Sequence, residues 1–488
     1  MKKYDGTVSL STTGTTICPY KRKDHQDFEK FFSTRNGYNA YESVTGMYVK
    51  TGEEKTGMYL THRQSSDFLR RFFPYYDFKS IKENVHRPIQ CEFSLNDTVI
   101  PTDIQYDILN KLMKVQKYPE WFVHLQGGFG KTLLSIQLMT ILNMKTLIMC
   151  YSTTVLRQWI KTVGEKTTFN KRRILLIDAS EILDNIYEST FNIDAYDIFM
   201  VTPKLLTQYC ERRDYRNLNE IFIKMGIGLK VFDEAHRNLS NIVKINACTS
   251  VAKTLYLSAD FAQSDHDKQA LYYRMFHGVP IIRPDEKVME DMSYIAAIVV
   301  YYNSHPSQQE YANVFTNHGF NGHNYMRYQL SHPKAFTILD KLFGLITTAR
   351  SSNHRVLILV NLIEHVDMLY EYIKERYGDK CTVGKFHSGI SEEGKTFAKD
   401  NADIIVSTYQ SFGVGVDALG IRYVISINQC SKVDDNQAAR RARPQKDGSE
   451  CFYFMLVDRG FKYGMKKLKE RLSYLKETKI KRVIQVEY

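Results

Sequence analysis

The 488-residue chain has no run approaching the roughly 18 uncharged apolar residues that a membrane-spanning helix needs. Its start, MKKYDGTVSL, also lacks the apolar stretch of a secretory signal. Both absences point to a protein that works inside a cell with no membrane partner. No CxxC pair is present to begin a zinc or iron–sulfur site: Cys18, Cys91, Cys150, Cys210, Cys248, Cys381, Cys430 and Cys451 stand singly and read as reduced structural residues. With 43% apolar and 25% charged residues the composition is that of a globular chain rather than a disordered one. A length of 488 residues exceeds what one core supports, so two or more domains are expected. The net charge of +12 concentrates polyanions around the molecule, but many basic proteins bind no nucleic acid, and charge alone decides nothing.

From Trp121 onward short β-branched runs alternate with longer helical stretches, the pattern of a parallel sheet covered on both faces. Six strands are expected at 121–125, 145–151, 172–178, 197–202, 229–234 and 254–259. After a polar, aromatic stretch a second series follows at 355–360, 382–387, 403–408, 423–428 and 451–456. We therefore expect an α/β protein with an accessory α+β region over 1–95, a first domain over 96–285, a connecting segment over 286–335 and a second domain with a basic tail over 336–488. In the accessory region 46–60 reads as a β-hairpin. RRFFPYY (70–76) reads as core, with base stacking as the alternative. The basic stretch 461–483 reads as a helix, either a solvated face or a surface that tracks phosphates.

Chemistry enters at QGGFGKT, where a glycine-rich turn joins a strand end to a helix start. Gly128 and Gly130, flanking Phe129, permit conformations that turn amides inward, and a helix N-terminus favours phosphate. Lys131 would neutralise the β- and γ-phosphates of ATP, and the Thr132 hydroxyl would bind Mg2+. The strand LKVF then runs into Asp233, Glu234, Ala235 and His236, a complete DEAH box. Asp233 would hold Mg2+ through a water, Glu234 would orient the water that attacks the γ-phosphate, and His236 reads as a coupling residue. Hydrolysis by itself does not make a motor, because such loops also serve kinases and switches.

In this order the motifs resemble those of superfamily 2 helicases, from about Gln105 to Pro444. The resemblance implies two tandem RecA-like domains that turn ATP hydrolysis into movement along a nucleic acid. Gln105 stands where such proteins place an adenine-reading glutamine, and Leu125 replaces the first loop glycine, a position they commonly relax. Ser258 and Ala259 match the SAT motif, with Asp260 in place of threonine. STYQSFGVGVD (407–417) resembles motif V, which brings Gly415 and Asp417 toward the nucleotide, and His387–Gly389 resembles the motif before it. NQAARRARP (436–444) resembles motif VI in two registers, one keeping Arg441 and one keeping Arg440 and Arg443. The second is preferred, since two arginines at i, i+3 share a helical face and could serve as arginine fingers across an interdomain cleft.

LRQW (156–159) is similar to the DNA-translocating branch, and HLQGGFGKT to the poxvirus transcript-release DNA helicases and their relatives in large DNA viruses. That implies DNA in preference to RNA, little base specificity, transcription or replication machinery as partners, and host cytoplasm, virion or nucleus as location. Loops after strands, at 152–159 and 201–206, would touch backbone phosphates. Two rivals stay open: an RNA helicase or remodeller, and a weakly active ATPase fold serving as a scaffold.

Overall fold

The computed structural model describes all residues except 1–3, 11–14, 32, 36–40, 44–45, 51–55, 61–65, 81–84, 126–128, 214, 260–268, 270–271, 274, 277, 286–293, 317–318, 350–353, 414–415, 417, 428–437, 443–444, 446–447, 464, 466–467, 470 and 473–479. The chain divides into two compact units, Met1–Pro284 and Asp285–Tyr488.

The first unit begins with β1 (Gly6–Leu10), β2 (Thr15–Cys18), β3 (Ser33–Arg35), β4 (Tyr41–Ser43), β5 (Gly46–Lys50), β6 (Thr56–Leu60) and β7 (Tyr76–Ser80). Five of these form a sheet in the order β5-β6-β2-β1-β7, and β5 and β6 pair antiparallel as the expected hairpin. Val8, Ile17, Met58, Leu69, Phe73 and Tyr76 close a small core, so RRFFPYY is divided: Phe73 and Tyr76 point inward while Tyr75 is 70% exposed.

A strap over residues 86–96 then laces this region to the rest of the unit. Arg87 N–H donates to Gly226 O (2.9 Å), Lys145 N–H to Arg87 O (2.9 Å) and Gln90 N–H to the buried Asp197 carboxylate (3.1 Å). The helix Leu239–Cys248 lies against β5 and β6.

The main sheet of this unit comprises β8 (Glu120–His124), β9 (Thr146–Met149), β10 (Ile174–Ile177), β11 (Ile198–Val201), β12 (Leu229–Phe232), β13 (Lys253–Ser258) and β14 (Ile281–Ile282). Their order is β10-β11-β9-β12-β13-β8-β14, parallel throughout. The runs TLIM, IFMV and LKVF are buried at every position, as strands covered on both faces must be. Each return to a parallel neighbour needs a crossover. Helices such as Lys131–Leu142, Thr153–Lys166 and Pro203–Arg212 supply it.

The second unit repeats the plan with β15 (Ile295–Tyr302), β18 (Arg355–Val360), β19 (Val383–Phe386), β20 (Ile404–Thr408), β21 (Ile421–Ser426), β22 (Cys451–Asp458) and β23 (Arg482–Glu487), ordered β19-β20-β18-β21-β22-β15-β23 and again parallel. Between β15 and β18 stand the short hairpin of β16 (Phe315–Thr316) and β17 (Gly319–Phe320) and three helices. Alternate residues feed opposite cores: Leu357 and Leu359 pack on one face of β18, Val356, Ile358 and Val360 on the other.

Two expectations are corrected. The segment 286–335 is more than a connector, because β15 sits inside the second sheet between β22 and β23. Its run IAAIVVYY is fully strand-like, and the polar residues around it masked the signal. The basic stretch 461–483 is helical at described positions between 462 and 472 but becomes strand β23 from Arg482. Phe461, Leu468 and Arg471 in it are buried, so it is not simply a solvated face.

Candidate nucleotide site

Three strands of the first sheet end side by side, β12, β13 and β8, and the motif residues follow their carboxyl ends. After β8 the loop residues 126–128, and with them Gly128, lie outside the described residues. Phe129 and Gly130 lead into the helix Lys131–Leu142. Gly130 has φ 78°, a left-handed backbone that favours glycine, and it serves as N-cap without any side-chain hydrogen bond. The first helical amides are therefore not capped by a side chain, which suits an anion.

Gln105 lies behind this loop. It closes a capping box with Thr102, accepting from Thr102 N–H at 2.9 Å, while its Nε2 donates to Gly130 O at 3.1 Å. Its carboxamide is thus committed to the loop backbone, and it is 3% exposed.

Lys131 Nζ lies 2.5 Å from Glu234 Oε1. Asp233 continues the ladder through its N–H to Met149 O (2.9 Å), after which Glu234 takes φ 50°, ψ 53°, a left-handed turn that is unusual for a glutamate. The two carboxylates have different partners. Asp233 Oδ1 accepts from Glu234 N–H at 3.0 Å and Oδ2 from Trp159 Nε1 at 3.0 Å. Oε2 of Glu234 is buried with no hydrogen-bond partner among the described residues. His236 Nδ1 lies 3.4 Å from that oxygen and shares a 2.7 Å hydrogen bond with Ser258 Oγ, at the end of β13.

Charge is tuned accordingly. Burial pushes Glu234 upward, but the Lys131 ammonium and His236 outweigh it and hold the carboxyl at about 2. Burial, with the neighbouring Glu234 charge, raises Asp233. Burial lowers His236 to about 4, so at neutral pH its contacts are those of an uncharged imidazole. Burial beside the two carboxylates raises the Cys150 thiol well above its ordinary value.

These residues fit ATP with Mg2+. Among the described residues no three His, Cys, Asp or Glu side chains cluster as a metal cage. A single carboxylate, Asp233, with the Thr132 hydroxyl is the protein share expected for Mg2+, which takes its other oxygens from phosphate and water.

In the second unit Ser407 and Thr408 end β20, with Ser407 Oγ donating to Phe386 O at 2.5 Å. Gly415, Asp417, Arg443 and Pro444 lie outside the described residues, as does Asp260 in the first unit. Of motif VI the described residues are 438–442, of which 438–439 are helical and 440–441 form a turn. Ala438, Ala439 and Ala442 anchor it in the core, and Arg441 Nη1 donates to Val416 O at 2.7 Å, which ties that arginine to its own unit.

Sequence reading missed Trp159 and Ser258 as partners of the DEAH residues. The signal was present only in part, as LRQW and as the SAT-like string. Both 152–159 and 201–206 prove to be helix starts, capped by Ser152 and Thr202.

Residues 98–263 match the family model for the res subunit of type III restriction enzymes. Among solved structures, a point variant of Dbp5 from S. cerevisiae bound to RNA and ADP BeF3 superposes with a TM-score of 0.53 at 16% identity, over 79% of this chain and 90% of that one. Dbp5 of the same organism, with the same ligands, gives a TM-score of 0.53 at 15% identity over the same shares. No curated protein matches the sequence. The fold, two parallel-sheet α/β units in tandem, is the one shared with these solved structures.

Proposed function

We propose that the protein is a nucleic-acid-dependent ATPase that moves along or remodels its nucleic acid, with DNA as the preferred substrate. The observation that carries this reading is the Lys131–Glu234 contact beside Asp233, at the N-terminus of a helix without a side-chain cap. A γ-phosphate arriving there competes with Glu234 for the Lys131 ammonium. Glu234, held ionised, would then be available to orient water, while Thr132 and Asp233 would hold Mg2+, which would supply screening of the phosphate charge. Gln105 keeps the loop in shape from behind. By the sequence resemblance, Gly128, Phe129 and Gly130 would line the phosphates, and Gly415 and Asp417 would assist. By the same resemblance, Arg440 and Arg443 would be the arginine fingers for the transferring phosphate.

DNA is favoured by the sequence resemblance of LRQW and HLQGGFGKT, which also supports a role in transcript release or DNA processing. RNA is the second reading, favoured by the fold shared with Dbp5, whose solved structures hold RNA.

The test is ATP hydrolysis with single-stranded DNA, double-stranded DNA and RNA, for wild type, Glu234→Gln and Arg443→Ala. DNA stimulation that both substitutions reduce by at least about 100-fold supports the reading, given the size of such charge effects. Stimulation by RNA alone transfers the substrate to the second reading, and no stimulation by any polynucleotide overturns the motor.

A further inference from the structure

Trp159 is one of two tryptophans in the chain. It lies on the buried face of the helix Thr153–Lys166 with Val155, Leu156 and Val163, and is 2% exposed. A buried indole needs a partner for its N–H. Trp121 satisfies this on a backbone carbonyl, Val115 O at 3.0 Å, whereas Trp159 donates to Asp233 Oδ2 at 3.0 Å. Glu234 N–H takes Oδ1 at 3.0 Å. One N–H on each oxygen fixes the plane of the carboxylate, and each oxygen keeps a further lone pair.

An indole is suited to this task. It donates one hydrogen bond and carries no lone pair that could compete for a cation.

We propose that Trp159 is a positioning residue for the divalent cation: it holds the Asp233 carboxylate in the one orientation from which Mg2+, or a water on it, is bound. The inference rests on the nucleotide-site reading above and adds a residue to it. Hydrogen-bond partners that orient a metal's ligands commonly change metal affinity by about 10–100-fold when removed.

The test uses the full chain with ADP and MgCl2. In Trp121→Phe, where Trp159 is the sole indole, adding MgCl2 at saturating ADP is expected to change tryptophan emission, at the same midpoint as the Mg2+-dependent gain in ADP affinity. Trp159→Phe is expected to raise that Mg2+ midpoint about tenfold. ADP affinity in EDTA and the melting temperature should stay close to wild type. Trp159→His, which keeps a ring N–H, should recover part of the loss.

A midpoint that moves less than twofold in Trp159→Phe overturns the proposal. So does a parallel fall of EDTA affinity, Mg2+ affinity and melting temperature, which would make Trp159 a core filler. If wild type binds ADP neither with nor without Mg2+, the nucleotide-site reading fails, and the positioning role fails with it.

Discussion

Substituting Gly130 by alanine confronts two separate features of the phosphate loop. The backbone there has φ 78°, where a Cβ costs roughly 1–2 kcal/mol. The added methyl would also collide with Nε2 of Gln105, so the carboxamide must leave its 3.1 Å bond to Gly130 O. A lost hydrogen bond of this kind costs about 1 kcal/mol. The expected total is about 2–3 kcal/mol of stability in the first unit. Urea unfolding followed by tryptophan emission measures it, since both tryptophans, Trp121 and Trp159, belong to that unit.

The two terms separate in a double-mutant cycle. With Gln105→Ala already present there is no carboxamide to displace, and Gly130→Ala should cost only the backbone part, about 1–2 kcal/mol. The coupling energy is then about 1 kcal/mol. A cost below about 0.5 kcal/mol in the wild-type background, or the same cost in both backgrounds, refutes the reasoning, because surface-like changes fall in that range.

Two further outcomes follow from buried charges. Asp197 is fully buried and holds Arg173 (2.5 Å), Lys145 (3.5 Å) and Gln90 N–H (3.1 Å), so Asp197→Ala removes the charge that balances the buried Lys145 ammonium, which keeps its 2.7 Å bond to Tyr196 O, and should cost about 3–5 kcal/mol in the same unfolding assay. A loss under about 1 kcal/mol would mean that Lys145 escapes to solvent. Lys230, also fully buried, donates to Asn246 Oδ1 (2.7 Å) and Thr249 Oγ1 (3.2 Å), and burial lowers its ammonium to about 7. Its ordinary value in an unfolded chain is about 10.4, so between the two the unfolded state binds more protons and stability rises with pH. Lys230→Met should flatten the rise in urea midpoint from pH 6.5 to pH 9, and an unchanged slope counts against this assignment.

The sequence made the main strands and the DEAH residues legible because their signals are local. Runs such as TLIM and LKVF are apolar where the sheet is covered on both faces, and a glycine turn followed by Lys131 is a string of neighbours. What stayed hidden depends on partners far along the chain. Trp159 and Asp233 are 74 positions apart, and nothing in LRQW says that the indole points at a carboxylate. β14 has only two residues and borrows its existence from β8. β15 is a strong strand lost between polar flanks, and it was absorbed into a supposed connector. The register of motif VI was open because arginines at 440, 441 and 443 are alike in type, and spacing alone does not rank them. One of them, Arg441, is tied down by Val416 O.

The same long-range bonds explain why a histidine follows the two carboxylates. Leu125 N–H donates to Ser258 O at 3.1 Å, His236 meets Ser258 Oγ at 2.7 Å, and His124 Nε2 lies 3.2 Å from Ala259 O. The carboxyl ends of β8, β12 and β13 are thereby joined by polar contacts rather than by apolar packing alone. Burial lowers the His236 imidazole to about 4, so the contact it makes at neutral pH is that of an uncharged ring. Lys131 meets Oε1 of Glu234 and His236 lies 3.4 Å from Oε2, so one carboxylate stands between the ammonium and the imidazole, and the Ser258 hydroxyl follows. Such a chain responds to small displacements because hydrogen bonds weaken steeply with distance and angle. An apolar residue at 236 would remove the 2.7 Å contact with Ser258 Oγ at the end of β13.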